Sequence, residues 1–110
     1  MIKAYQQDWA YTEHWDLEYD QEQASKIMKK LLRHFKLKYI SYRFELNKKG
    51  RAYYGHYILL PKNGISLGMI CHEIGHQLAY VYGIKGHTKK AYKYIHRIYK
   101  YANKYLSIKI

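Results

Sequence analysis

The sequence predicts one α+β domain, and three observations predict it. Stretches of helical apolar periodicity lie on either side of a stretch with strand-like alternation, and turn-forming residues separate them. The chain has 110 residues, enough for one hydrophobic core and little more, so residues 1–110 are expected to form a single domain. An acidic, aromatic segment, residues 1–19, comes first. Asp20 is a helix N-cap, and Ile27, Leu31 and Leu32 carry the apolar face of an N-terminal helix to about Phe35. Tyr39 to Leu46 alternates, with Ile40, Tyr42, Phe44 and Leu46 on one face of a strand. Asn47-Lys48-Lys49-Gly50 is a turn, and Arg51 to Leu60 returns as the second strand of an antiparallel hairpin, ended by Pro61-Lys62-Asn63-Gly64. A further helix is expected from about Ser66 to Tyr82 and a last one from about Thr88 to Leu106.

The Ser66–Tyr82 helix carries the chemistry. Within it, His72-Glu73-Ile74-Gly75-His76 matches H-E-x-x-H, in which two histidines one helical turn apart face a common centre and bind one Zn²⁺. Glu73 stands beside that centre, where a general base can take a proton from water. Leu67, Ile70, Ile74, Leu78 and Val81 share one side of this helix as a core face. His72 and His76 fall opposite, among Gly68, Gly75, Ala79 and Gly83. From Gly64 to Val81 there is no Lys or Arg, and Glu73 is the sole carboxylate. A carboxylate and two imidazoles in so apolar a setting are costly without a partner, and a metal ion supplies one.

A catalytic zinc site takes three protein ligands and leaves a fourth position open. No Asp or Glu follows Glu73, so a downstream carboxylate ligand is excluded within this chain. Two downstream histidines remain. His87 lies in Gly83-Ile84-Lys85-Gly86-His87-Thr88, a turn able to fold back onto the site. His96 lies in the last helix, where Ala91, Ile95, Ile98, Ala102 and Tyr105 form the apolar stripe. It projects roughly 140° from Ala91, on the solvated side. His87 is therefore the favoured third ligand; its alternative role is that of a loop histidine near a helix end. The donor that would stabilise an oxyanion is left open among His56, Tyr53, Tyr54, Tyr57 and Arg51, and strand Arg51–Leu60 has an edge to offer an extended peptide.

The combination of His72-Glu73-Ile74-Gly75-His76 with Gly86-His87 and an aromatic-rich helix resembles the SprT-like zinc metallopeptidases, whose pattern is H-E-x-x-H, a short stretch and a Gly-His pair. Upstream, Gly50-Arg51-Ala52-Tyr53-Tyr54-Gly55-His56-Tyr57-Ile58-Leu59-Leu60 is similar to the family's Gly-Arg-rich strand before the active-site helix. The resemblance covers about residues 26–105. It implies a small zincin-like domain with Zn²⁺ on His72, His76 and His87, Glu73 as general base and a protein or peptide substrate. Some SprT-like proteins are DNA-dependent proteases, which extends the implication to DNA-associated substrates. Two departures stand out: the stretch between His76 and His87 is short for the family, and a single cysteine, Cys71, allows no zinc ribbon in this chain.

Charge is divided unevenly. Residues 1–22 hold six acids against one lysine, and the remainder holds nineteen Lys and Arg against Glu45 and Glu73. Lys89, Lys93, Arg97, Lys100 and Lys104 line one side of the last helix, a footprint that fits phosphate-backbone binding and equally fits a solvated face. The acidic first residues could mask that surface or simply cap the fold. No apolar run is long enough to span a membrane and the N-terminus lacks a secretory pattern, so a cytoplasmic location and no membrane partner are expected. Cys71 reads as a small buried hydrophobe. Two functional classes follow: a zinc endopeptidase, or a non-catalytic zinc-containing module that binds nucleic acid or protein. Glu73 favours the first, because a structural zinc site needs no base.

Overall fold

The computed structural model describes residues 17–46 and 50–109. Their element order is β1 (Glu18–Tyr19), α1 (Gln21–His34), β2 (Ser41–Glu45), β3 (Arg51–Tyr53), β4 (Tyr57–Pro61), β5 (Ile65–Ser66), α2 (Leu67–Val81) and α3 (Lys89–Lys109), an α+β fold. Residues 1–16 of the acidic segment and 47–49 of the expected turn lie outside the described residues.

Helix α1 starts where its cap requires. The Asp20 carboxylate accepts from the Gln23 N–H at 2.8 Å, and the Gln23 side chain accepts from the Asp20 N–H at 3.2 Å, so two otherwise unpaired donors are satisfied reciprocally. Ala24, Ile27, Met28, Leu31 and Leu32 bury its apolar face, and Phe35 caps its end.

The strands differ from the expected hairpin. Arg51–Leu60 is two strands, because Gly55, at φ 76°, closes a turn over residues 54–56 that folds the segment on itself. β3 pairs antiparallel with β4 (Arg51 opposite Leu59), whereas β2 pairs with β4 in parallel (Ser41 opposite Tyr57). The order is β2-β4-β3. β4 takes the centre because Ile58, Leu59, Leu60 and Pro61 form a continuous buried run, which suits a strand paired on both edges. In β2 the expected alternation holds: Tyr42 and Phe44 pack on the core while Ser41 and Arg43 are exposed. Leu46, expected on the same face, lies past the strand and is 59% exposed. β1 and β5 pair antiparallel as a separate ribbon that leads into α2.

Helix α2 begins at the N-cap Ser66, whose hydroxyl accepts from the Met69 N–H at 3.1 Å. It is buried on both sides. Leu67, Ile70, Ile74 and Leu78 enter the core as expected, but Val81 is 53% exposed. The end of α2 is exposed, and its tyrosines stack at the surface, Tyr80 on Tyr54 and Tyr82 on Tyr94. The small-residue side faces α3, where a Cβ added at Gly75 would lie 2.5 Å from the Ile95 Cα. On α3 the stripe Ala91, Ile95, Ile98 and Ala102 is buried and Tyr105 is half-buried; Tyr92 and Tyr99 are also buried, widening it. Among the described residues no helix is long and apolar enough to cross a membrane.

Candidate metal centre

Helix α2 presents His72 and His76 one turn apart, and the loop between α2 and α3 brings His87 to them. Their three Nε2 atoms form a nearly equilateral triangle: His76–His72 3.0 Å, His72–His87 3.1 Å and His76–His87 3.3 Å. Hydrogen bonding alone cannot satisfy this arrangement. Each Nε2 offers one in-plane function, a lone pair or an N–H. With three nitrogens and two options, at least two are alike, and one edge sets like against like. A cation that accepts all three lone pairs removes the conflict. Tetrahedral geometry at a Zn–N distance of about 2.0–2.1 Å places ligand nitrogens roughly 3.3–3.4 Å apart, close to the spacing found. The three histidines could therefore hold a metal ion. Among the described residues no fourth His, Cys, Asp or Glu joins the group.

Burial tunes the imidazoles for this. Desolvation, then the neighbouring His87, pulls His72 down to about 4. Desolvation, then His72 and His87, pulls His76 down to about 3. Both are neutral at physiological pH, as a ligand must be. The buried His76 Nδ1 has no hydrogen-bond partner among the described residues. Cys71 is fully buried and its thiol is pushed well above its usual range by desolvation, consistent with a packing role.

The triangle opens onto a cleft of about 300 Å³. Glu73 lies in its wall with His72 and His76, and Gly50, Arg51, Ala52 and Tyr54 form the facing side. Glu73 is 6% exposed, and burial pushes its carboxyl up to about 7. The facing side must approach closely: a Cβ on Gly50 would come within 2.7 Å of Met69 Cγ and 3.0 Å of Glu73 Oε2. β3, which begins at Arg51, is an edge strand, paired only with β4 among the described strands.

The other candidates sort clearly. Arg51 and Tyr54 line the cleft; His56, Tyr53 and Tyr57 do not. Tyr53 and Tyr57 stack on each other at 4.5 Å, with the Arg43 guanidinium 4.3 Å from the Tyr57 ring centre. His96, expected on the solvated side, is half-buried on α3 and outside the histidine group. Lys89, Lys93, Arg97, Lys100 and Lys104 are all exposed, with Arg97 over the Tyr94 ring.

Two contributors are not evident from the sequence. Gln77 is buried beside His76, accepts from the Gly55 N–H at 2.8 Å and donates to the Tyr53 and Tyr57 carbonyls at 2.9 and 3.3 Å. Tyr92 places its ring 5.8 Å from that of His72 and 6.0 Å from that of His87. Glutamine directly after the second histidine, in a helix otherwise almost free of polar residues, was the available signal for the first. One tyrosine among fifteen gave none for the second. Comparison of the chain with protein-family models, with curated proteins and with solved structures found no match.

Proposed function

We propose that this chain is a zinc-dependent endopeptidase of the SprT-like kind, with His72, His76 and His87 as ligands and Glu73 as general base. The observation that carries the proposal is the three-nitrogen triangle sharing one cleft with a buried carboxylate. Three imidazoles with no fourth ligand among the described residues suit catalytic zinc better than structural zinc, which is usually closed by four protein ligands. Bound there, Zn²⁺ supplies Lewis-acid polarisation of water and of a substrate carbonyl.

The protein residues supply the rest. Glu73 takes the proton from the attacking water and returns it to the leaving amine. Burial favours the protonated form of this carboxyl, and so favours its taking up a proton. Edge strand β3 can pair with an extended peptide and lay its backbone along the cleft. Arg51 and Tyr54 line the cleft, which supports them as the donors to a developing oxyanion. The exposed cations of α3 support a nucleic-acid partner as a second clause, which would bring DNA-associated proteins to the cleft.

Hydrolysis of casein by zinc-loaded protein, with Glu73→Gln as control, tests the reading. The variant should retain zinc and lose about 10²-fold or more in rate. Hydrolysis at the wild-type rate by Glu73→Gln would sink the general-base role. Stoichiometric zinc with no hydrolysis by the wild type, with or without DNA, would favour the non-catalytic binding module.

A further inference from the structure

We propose that Tyr54 is a positioning residue for the third imidazole: its hydroxyl fixes the loop that carries His87. The inference rests on the metal-site reading of the three histidines. Two of the ligands need no such help, because His72 and His76 ride on a helix buried on both sides. His87 is different. It is exposed and sits in the connection between Tyr82, the C-cap of α2, and Lys89, the first residue of α3. That connection contains Gly83 and Gly86, both at φ 78°, and among the described residues nothing lies within 4 Å of where a Cβ would stand on either. Packing at these two positions therefore restrains nothing, and glycine gives the backbone wide freedom. On the far side of His87 the chain is fixed by Thr88, whose hydroxyl accepts from the Ala91 N–H at 3.2 Å and whose carbonyl accepts from the Tyr92 N–H at 3.1 Å. On the near side, the glycines leave the restraint to hydrogen bonds.

The first half of the loop is tied to its own helix, with the Gly83 N–H on the Tyr80 carbonyl at 2.9 Å and the Ile84 N–H on the Ala79 carbonyl at 3.0 Å. The second half is tied across the cleft. The Gly86 N–H, on the residue before His87, donates to the Tyr54 hydroxyl at 2.7 Å. Tyr54 is itself held firmly. Its ring stacks on Tyr80 at 5.0 Å and stands nearly perpendicular to that of His76 at 6.3 Å. The turn that carries it is fastened to α2 by the three backbone hydrogen bonds of Gln77. Helix α2 thus supplies two ligands directly and, through Gln77, Tyr80 and Tyr54, sets the position of the third. Groups that orient ligands at one remove commonly change metal affinity by about 10- to 100-fold when removed.

Tyr54→Phe tests this with the loss of one oxygen, leaving the ring and its stacking on Tyr80. Co²⁺ is titrated into the metal-free protein, followed by its visible absorption, for wild type, Tyr54→Phe, His87→Ala and the double variant. Tyr54→Phe should weaken Co²⁺ binding by about 10-fold or more and alter the absorption band, yet leave the urea midpoint of the chelated protein within about 0.3 M of wild type. In the His87→Ala background the same change should have no further effect. Amide hydrogen exchange at Gly86 in the chelated protein should speed up in Tyr54→Phe. Unchanged Co²⁺ affinity together with unchanged Gly86 exchange would overturn the positioning role while leaving the metal site intact. Equal weakening with and without His87 would also overturn it. Failure of the wild type to take up Co²⁺, with Gly86 exchange still accelerated, would overturn the metal reading and leave only a loop tether.

Discussion

Gly75→Ala probes the close approach that sets the distance between the two helices bearing on the site. The added carbon would stand 2.4 Å from Ile95 Cγ1, 2.5 Å from Ile95 Cα and 2.9 Å from Ile95 Cβ. Carbon pairs settle at about 3.5–4.0 Å, so α2 and α3 must part by roughly 1 Å. A rotamer change relieves the clash with Cγ1 only. Alanine gains about 1 kcal/mol over glycine as a helix former. Overpacking costs about 1–3 kcal/mol, and more where backbone has to move. The balance is a net loss of about 2 kcal/mol, or roughly 8–10 °C in Tm for a chain of this size. The variant should still fold, but its ligands should separate. His72 and His76 flank Gly75, while His87 leads into α3, so parting the helices stretches the triangle beyond the roughly 3.3–3.4 Å that tetrahedral zinc requires. Co²⁺ affinity should fall by at least about 10-fold. Urea unfolding in chelator gives the first number and metal titration the second. Ile95→Ala removes Cγ1 but keeps Cβ and Cα, and it loses about 2–5 kcal/mol of core packing on its own account, so in a double-mutant cycle it should relieve only part of the Gly75→Ala cost. Wild-type stability in Gly75→Ala, or complete disappearance of its cost in the Ile95→Ala background, would refute the close-approach reasoning.

Other consequences are open to measurement. Glu73→Gln should hold zinc and lose casein hydrolysis, and Tyr54→Phe should loosen the metal through His87. In chelated protein, His72 and His76 have folded values of about 4 and 3 against 6.5 unfolded, so their contribution is fully present above pH 6.5 and lost as pH falls towards 4. Glu73, about 7 folded against 4.5 unfolded, acts oppositely: its contribution is full below pH 4.5 and lost as pH rises through 7. Near pH 5.5 the histidines prevail by about one proton, so stability should fall on acidification by about 1 kcal/mol per pH unit. Glu73→Gln removes the opposing arm and should roughly double that slope; an unchanged slope would show that Glu73 does not titrate as described. Lys93, Arg97 and Lys100 changed to Ala should make the salt dependence of DNA binding shallower by up to about 0.9 in log–log slope for each phosphate no longer neutralised. An unchanged slope by fluorescence anisotropy would remove α3 from the nucleic-acid clause.

The helices were legible because each is defined by local chemistry. Asp20 and Ser66 are side chains whose caps close within three residues, and the buried residues of α1 and α3 recur at helical spacing. The strand pairing was not legible, since the parallel pairing of β2 with β4 is decided by which strand buries most, and periodicity within one segment does not carry that information. Arg51–Leu60 looked like one strand because Gly55 is a single residue in an otherwise strand-compatible run. The histidine cluster that could hold a metal ion was legible from unusual features: the helical spacing of His72 and His76, and the absence of any later carboxylate. What lay beyond the sequence was the second layer around it. Tyr54 meets Gly86 only after the hairpin has folded onto α2, and the side chain that fastens that hairpin, Gln77, matters through three backbone groups remote in sequence.

The buried polar residues of α2 also bear on whether the site exists for stability or for chemistry. Glu73, His76 and Gln77 are the buried polar or charged side chains among the described residues. Gln77 satisfies its amide on three backbone groups, so its burial costs little and fastens β3 and β4 to the helix. The other two do not serve the fold in that way. Burial opposes the charged form of Glu73, and His76 keeps an unpaired Nδ1 beside two like imidazoles. Apolar residues of similar size would fill the same space without desolvating a titratable group, so packing alone gives no reason for this pair. A structural metal would account for His76 and leave Glu73 unexplained. A catalytic metal accounts for both, because hydrolysis needs a base in the same cleft as the ligands. The energetic anomaly and the proposed chemistry thus fall on the same two residues, which is why Glu73→Gln is the variant on which the functional reading turns.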